Sequence, residues 1–465
     1  MHIFSTKVSD LKFENRLIPA FYYYSQEIKK HNIEDEISYI KLGDYATISD
    51  GEHSAIPRNS KSGIRYLYGR NIKEGVIDFD PISDDPYIDK EDYERIKRCH
   101  IKQNDVLIAI YGTVGKSAIY KKEYVGVAGI PRHISNITIH ENAPLTPEYL
   151  TAFFRSKYGK WQMNSLMTGN IQQLLSLKNL REYDVPLVNK ELMDELTIKE
   201  EQALEFEIDA QVLINEARKE LYSNLGFDIK GIEKDFTFSV NSSELFESNV
   251  WSTSFYNCLY VNVENAVKKN CNYAAIRDVC ELIHGDEVGS DSYKSFIERD
   301  VNCDKPFVRT SDIVNYETDI YPDYYIPLEL CSDQDVQPGD VLFTKDGKIG
   351  CTALVTIEDR MMISSGIERL RLNSSGISSG LTQEYLFLVL STPEIGGYGA
   401  IRRTVVASTI PHLREERLRD IVIPIISDGT IALITDLERK AFLLKSKRKR
   451  LIREIDLIME KEFRF

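Results

Sequence analysis

Three stretches of the chain carry residue types that could do chemistry. In "AIYGTVGKSAIY" (109–120), Gly115-Lys116-Ser117 has the ending of a phosphate-binding loop. The full pattern needs a glycine five positions before Gly115, and Ile110 stands there, while Gly112 is too close. A phosphate loop also opens a helix, whose N-terminus meets the anion. Here both flanks, "DVLIAI" and "SAIY", are short, apolar and β-branched, so the stretch reads as a hairpin with Gly112 and Gly115 in its turn. The second stretch, Asp84-Asp85-Pro86-Tyr87, has an aspartate where the methyl-transfer motif [DNS]-P-P-[YF] needs its first proline, and no FxGxG accompanies it. The third, Asp340 with Asp346-Gly347-Lys348, is too tightly spaced for a nuclease D…(D/E)xK site. HExxH, GxSxG and paired-histidine spacings are absent, and the eight histidines are scattered singly. No catalytic or metal-binding constellation emerges.

Binding chemistry is better supplied. "PRNSKSGIRYLYGRNIK" (57–73) holds Arg58, Lys61, Arg65, Arg70 and Lys73 with no acid, interleaved with Tyr66 and Tyr68. In a chain of net charge −14 that is a local anomaly. Lysine and arginine can hold phosphates, and Arg70 and Asn71 have the donor patterns that read guanine and adenine. The competing reading is a solvated loop and edge strand.

Elements that position such residues must come from a chain of 465 residues, enough for two to four domains, with an ordinary 42% hydrophobic content. The seven cysteines are irregularly spaced with no CxxC, which suggests neither a disulfide framework nor a zinc site, and a reducing cytosol is expected. No basic-then-apolar leader and no membrane-length apolar run is present, so a soluble, cytoplasmic protein is expected. The acidic balance argues against a non-specific polyanion binder but not against a locally basic reader.

The chain repeats itself. "NDVLIAIYGTVGKSAIY" (104–120) lies over "GDVLFTKDGKIGCTALV" (339–355), an offset of 235 (340 − 105). "LTPEYL" (145–150) matches "LTQEYL" (381–386), and Leu180 and Pro186 fall on Leu418 and Pro424. "NRLIPAFYY" (15–23) is echoed by "NVWSTSFYN" (249–257). Lys116 falls on Cys351 while the glycines persist, so the shared glycines report a backbone turn rather than a phosphate cradle.

Each copy ends in a long helical pattern. Leu192, Leu196, Ala203, Phe206, Ala210, Leu213 and Ala217 keep alternating 3/4 spacing in the first. Ile434, Leu437, Ala441, Leu444, Leu451, Ile455 and Ile458 do so in the second, interrupted by Arg448. The expected organisation is a recognition domain over 1–188, a helix over 189–228, a second recognition domain over 229–426 and a second helix over 427–465. Within each copy, strands are predicted at "IRYLY", "DVLIAIY", "ISNITI", "KPFVRT", "DVLFT" and "IERLRL", with helices near 20–31, 91–98, 147–158, 255–268 and 383–391.

This ordered set of motifs, present twice, resembles the target recognition domains of type I restriction–modification specificity subunits over nearly the whole chain. The resemblance implies an α+β fold: two similar mixed α/β recognition domains, separated by two long antiparallel coiled-coil helices in a pseudo-twofold internal repeat. It implies a non-catalytic subunit that reads one half of a bipartite double-stranded DNA site with each domain. Two methyltransferase subunits would dock on the helices, and restriction and translocase subunits would join them. The chain itself would need no cofactor, while its partners would use S-adenosylmethionine, ATP and Mg²⁺.

In that light the polar turn "SDGEHSAIP" (49–57) would lie near DNA, with Ser49, His53 and Ser54 as donors. Lys116 at the hairpin, and Arg132 and His133 in "GIPRHISN", join the candidates, with Arg369 as a looser counterpart in the second copy. Arg309 and Thr310 occupy the place of Tyr68 and Gly69. Lys345 and Lys348 flank the second hairpin, and Arg402 and Arg403 form a basic pair in a glycine-rich loop. The run "KSKRKRLIR" (445–453) reads as the polar face of the terminal helix or a docking surface. A helix of about 30 residues is about 45 Å long, or on the order of 13 base pairs, which sets half-sites about one turn of DNA apart. The alternative is a scaffold protein built on recognition domains that no longer bind DNA.

Overall fold

The structure, a computed structural model, describes residues 19–30, 38–58, 62–78, 87–169, 173–232, 237–248, 250–289, 304–407 and 410–463. Lys61 and the Asp84-Asp85-Pro86 run lie outside the described residues. The chain divides into two compact units. The first holds 84–206 and 447–465 together with the residues up to 78, and the second is centred on 207–446.

In unit 1, helix α1 (Pro19–Lys30) packs on α3 (Lys157–Leu166). Strands β2 (Ala46–Asp50), β5 (Val106–Ala109), β6 (Ser117–Ile119) and β8 (Ile134–Ile139) form an antiparallel sheet in the order β2-β8-β5-β6. Strands β3 (Ile64–Tyr66), β4 (Tyr87–Ile88) and β7 (Ala128–Gly129) form a second sheet in the order β4-β3-β7. A ribbon of β1 (Ser38–Lys41) with β9 (Asp184–Leu187) leads into the long helix α4 (Lys190–Ser223). β5 is buried on both faces, which is why its sequence is a continuous apolar run rather than an alternation. The predicted helix over 147–158 is two helices. Pro147–Arg155 (α2) stops at Ser156, whose extended backbone and Oγ, accepting from Gly159 N–H at 3.1 Å, start α3.

Unit 2 repeats this plan. Strands β11 (Cys280–His284), β16 (Val341–Thr344), β17 (Thr352–Leu354) and β19 (Ile367–Leu372) take the order β11-β19-β16-β17. Strands β12 (Asp304–Val308), β15 (Tyr325–Pro327) and β18 (Met362–Ile363) take the order β15-β12-β18. The ribbon is β10 (Asn272–Ala275) with β22 (Val422–Ile425), and α8 (Asp428–Glu462) follows it. Between them, α5 (Cys258–Asn270), α6 (Gln383–Ser391) and α7 (Tyr398–Arg403) complete the unit, with small extra ribbons β13 (Ile313–Val314) with β14 (Glu317–Thr318) and β20 (Val405–Ala407) with β21 (Ile410–His412). The architecture is therefore α+β and doubled.

The repeated motifs have structural reasons. Thr146 Oγ1 caps α2 by accepting from Tyr149 N–H at 3.1 Å, and also bonds Thr197 of α4 at 2.8 Å. Thr382 does the same for Tyr385 N–H (3.1 Å) and Thr435 of α8 (2.7 Å). Tyr149 Oη donates to Pro186 O at 2.7 Å and Tyr385 Oη to Pro424 O at 2.8 Å, so the repeated tyrosine and proline lock helix to ribbon in each unit. Gly112, Gly115, Gly347 and Gly350 all have φ between 66° and 94°, in the left-handed region the turn requires.

The helical seams are more charged than the sequence pattern suggests. In unit 1 the buried positions Met193, Leu196, Glu200 and Ala203 of α4 and Ile452, Ile455 and Met459 of α8 keep 3/4 spacing. In unit 2 they are Glu207, Ala210, Ile214, Ala217 and Leu221 with Ile431, Ile434, Glu438, Ala441 and Lys445. Within unit 1 the helices run antiparallel, Lys199 meeting Glu454 and Phe206 meeting Lys447; within unit 2, Glu207 meets Lys445 and Asn224 meets Thr430. The basic run 445–453 departs from its expected polar face: Lys445, Arg448 and Lys449 are buried. Among the described residues, no helix is long and apolar enough to cross a membrane.

Candidate nucleic-acid interface

In unit 1 the C-terminal end of β2, the turn after β3, the β5–β6 hairpin and the loop between β7 and β8 come together. Gly51 N–H bonds Ile134 O (3.2 Å), Arg132 N–H bonds Glu52 O (2.9 Å) and Ile110 N–H bonds His133 O (3.0 Å). Thr113 Oγ1 of the hairpin donates to Gly69 O at 3.1 Å, seating the hairpin on the 68–71 turn.

The exposed Arg58 and Arg70 both lie over the ring of Tyr68, at 5.0 and 5.4 Å from its centre. His133 stands edge-on to Tyr111 (5.3 Å), and burial together with the nearby positive charge of Arg132 and Arg58 pushes its imidazole below the usual histidine range. His53 Nε2 donates to Asp50 at 2.7 Å, and Ser54 N–H donates to Glu52 at 2.7 Å. Burial of the Asp50 carboxyl is outweighed by hydrogen bonds from Arg98 and His53, which hold it below the usual carboxylate range. Ser49, exposed on β2, donates to Asn136 Oδ1 at 2.8 Å. Arg65 lies on β3, and Lys116 is half-buried at the hairpin's end. Arg98, half exposed, is a residue that the sequence reading missed; it ties this loop through its bonds to Asp50 and to Gly51 O (3.1 Å).

Asn71 is placed differently from the other candidates. It is 3% exposed, and its Oδ1 accepts from Tyr68 N–H at 2.7 Å, closing the turn. It shapes the loop that presents Arg70 rather than presenting itself.

The same hydrogen bonds recur in unit 2 and fix the residue equivalences. Gly285 N–H bonds Ile367 O (3.1 Å), Ser365 N–H bonds Asp286 O (3.0 Å) and Lys345 N–H bonds Gly366 O (2.8 Å). Arg309 N–H donates to Asp312 at 2.8 Å, so Arg309 stands where Tyr68 does and Thr310 where Gly69 does. The counterparts of Arg132 and His133 are thus Ser365 and Gly366, which corrects the match to Arg369. Arg369 stands instead where Asn136 does. It is 1% exposed and faces Asp340 at 3.8 Å, as Asn136 faces Asp105 at 3.2 Å, and burial pushes its guanidinium below the usual arginine range.

Several second-copy candidates are held inside the protein. Lys345 is buried, with Nζ 2.8 Å from Glu368 and 2.6 Å from His284 Nδ1. Arg402 and Arg403 reach Glu264 of α5 at 2.7 and 2.8 Å, Arg403 being buried, and the Glu264 carboxyl, against its burial, is pulled down to about 2 by the two arginines. Arg309 stacks on Tyr324 at 4.1 Å and pairs with Asp323 at 3.2 Å. Thr310 is half-buried in the turn after β12, and Lys348 is half-buried at the second hairpin. The 68–71 turn thus has a close structural twin, but the cations around it do not.

Residues 34–195 match the family model described as type I restriction modification DNA specificity domain. Among solved structures, the S subunit of the type I restriction–modification system from M. genitalium is 11% identical, with 93% of this chain and 96% of that chain covered and a TM-score of 0.34. The HsdS subunit from Thermoanaerobacter tengcongensis is 14% identical, with 93% and 98% covered and a TM-score of 0.29. A chain from a structure of complex assembly and conformational transition of the type I R-M system is 14% identical, with 92% and 97% covered and a TM-score of 0.29. No curated protein matches the chain. The similarity to type I restriction modification DNA specificity domains is thus carried by residues 34–195, which lie within unit 1 apart from 79–83.

Proposed function

We propose that this chain is the non-catalytic, sequence-specific DNA-binding subunit of a type I modification complex. It reads a bipartite duplex site and directs partner adenine methyltransferase subunits, with restriction and translocase subunits, to it. The observation that carries this reading is the convergence in unit 1 of Arg58, Arg70, Arg132, His53 and His133 on neighbouring loops of one rigid sheet, in a segment matched by a DNA specificity family. Loops on a rigid scaffold place donors for phosphates and base edges together. The long helices α4 and α8 act as the spacer that fixes half-site separation, and the methyltransferase subunits dock there. The chain supplies no cofactor; S-adenosylmethionine, ATP and Mg²⁺ belong to the partners.

The test is to co-express the chain with its methyltransferase partner and map methylated adenines genome-wide. A two-part motif is expected, and replacing residues 1–188 by another recognition domain should change one part only. A change in both parts, or in neither, would reject the modular reading.

The second reading is a scaffold without DNA binding, which the net charge of −14 favours. A complete lack of duplex binding by the reconstituted complex at low salt would select it.

A further inference from the structure

We propose that the two units engage DNA by different physics: unit 1 neutralises phosphates, whereas unit 2 docks without net charge neutralisation and reads its half-site by neutral hydrogen bonding and shape. This rests on the DNA reading above and deepens it.

The hydrogen-bond register makes the comparison position by position. The turn matched by Asn71 and Asp312 sets Arg65, Arg70 and Lys73 over Pro306, Ser311 and Val314 (offset 241, 312 − 71). The loop matched by Glu52 and Asp286 sets His53 over Glu287 (offset 234). The hairpin sets Lys116 over Cys351, and the β7–β8 loop sets Arg132 over Ser365. At five of these places a lysine or arginine of unit 1 gives way to an uncharged residue, and at the sixth His53, bonded to Asp50, gives way to a glutamate.

Unit 2 does have cations of its own near these loops, and acids accompany Arg309 and Lys345. Arg309 meets Asp323 and Asp312, and Lys345 meets Glu368 inside the protein. Asp346 of the hairpin pairs with His412. In unit 1, Arg58 and Arg132 are exposed and have no carboxylate partner among the described residues. Ser311 and Ser365, which line the unit 2 turn and loop, donate their hydroxyls to Asp312 (3.2 Å) and Glu287 (3.1 Å), and their oxygens can still accept without changing the phosphate charge balance.

Phosphate neutralisation is what makes affinity fall with salt. Each contact contributes about −0.9 to the slope of log K against log salt. The asymmetry is therefore measurable on duplex of any sequence, because non-specific binding is almost wholly this term.

The experiment uses the full chain and a fluorescein-labelled 40-base-pair duplex of random sequence, titrated between 50 and 200 mM NaCl. Arg58→Gln/Arg70→Gln/Arg132→Gln should flatten the slope by about 2.7, and Arg132→Gln alone by about 0.9. Arg309→Gln/Lys348→Gln should leave it within about 0.5, under one phosphate contact. Melting curves that match the unchanged chain show that each variant is folded, and Arg58→Lys/Arg70→Lys/Arg132→Lys should keep the original slope. Equal flattening by the unit 1 and unit 2 sets would overturn the asymmetry while leaving DNA binding intact. Failure of the unchanged chain to bind the duplex at 50 mM NaCl would instead overturn the DNA reading beneath it.

Discussion

Asn71 and Asp312 close the same turn in the two halves of the chain. Each accepts the backbone N–H three residues before it, at 2.7 and 2.8 Å, and each passes its own carbonyl to a later backbone N–H, Asp78 or Asp319, at 2.7 Å. One half uses an amide and the other a carboxyl for one geometric task.

The difference between them is electrostatic. Burial pushes the Asp312 carboxyl up to about 6, against the hydrogen bond from Arg309 N–H that pulls it down. The folded form therefore holds its proton more tightly than the unfolded chain, and stability contributed by this group is lost as pH rises from about 4 towards 6. Asp312→Asn, the residue unit 1 already uses, should remove that loss: thermal melts at pH 5 and pH 7 should differ less in the variant. Asn71→Ala should cost about 1–3 kcal/mol, since it strands a backbone donor. A melt unchanged within error would show that the turn holds without it.

Arg155 of α2 makes two parallel bonds to Glu200 of α4, at 2.9 and 2.8 Å, and a third to Asp456 of α8 at 3.1 Å, all within unit 1. The arginine side chain is 1% exposed. Removing one partner leaves the rest buried and uncompensated, so Arg155→Ala or Glu200→Ala should each cost about 3–5 kcal/mol. The double variant Arg155→Met/Glu200→Leu should cost less than either single change. Denaturant melts would decide, and strict additivity would show that the groups do not act as a pair.

Much of this was legible beforehand, and the omissions have a common cause. The β5–β6 hairpin and its glycine turn announce themselves through β-branched flanks and a 235-residue echo, and the strands "ISNITI" and "IERLRL" also lie where they are expected. The long helices follow from 3/4 spacing, but their true seams include Glu200, Glu207 and Lys445, whose charges disguise core positions until their partners are seen, and the partnerless carboxyl of Glu438. Asn71 has a side chain equally suited to adenine and to a backbone cap, and only the fold distinguishes them. Arg98 sits in a short 3-10 turn (Lys97–Cys99) that the repeat does not mark, so nothing in the sequence ties it to Asp50, 48 residues earlier.

Glu438 lies wholly buried in the unit 2 seam, and neither carboxyl oxygen has a hydrogen-bond partner. Burial pushes it up to about 8, with Arg218 opposing. A carboxyl that keeps its proton when folded and loses it when unfolded lowers stability as pH rises between about 4.5 and 8, by a few kcal/mol at most. Glu438→Gln should be nearly neutral at pH 5 and stabilising at pH 8. A variant that melts lower at pH 8 would show that the carboxylate is charged and paired.

Gly115 and Gly112 share the hairpin but should not tolerate alanine equally. Both have positive φ, 94° and 75°, so each pays a conformational cost of about 1 kcal/mol or more. A Cβ on Gly112 meets nothing within 4 Å, whereas one on Gly115 comes 3.2 Å from Met163 of α3. Gly115→Ala should therefore lower the melting temperature further than Gly112→Ala, and asparagine at 112 should be milder still, because it enters this region more readily. The hairpin also carries Thr113, which is bonded to Gly69 O in the turn that presents Arg70. If that turn reads DNA, Gly115→Ala should weaken binding to duplex in which only the first half-site is intact. The equivalent Gly350→Ala in unit 2 should weaken binding where only the second is intact. Equal loss on both duplexes from either change would mean that the hairpins act through overall stability and not through the loops they support.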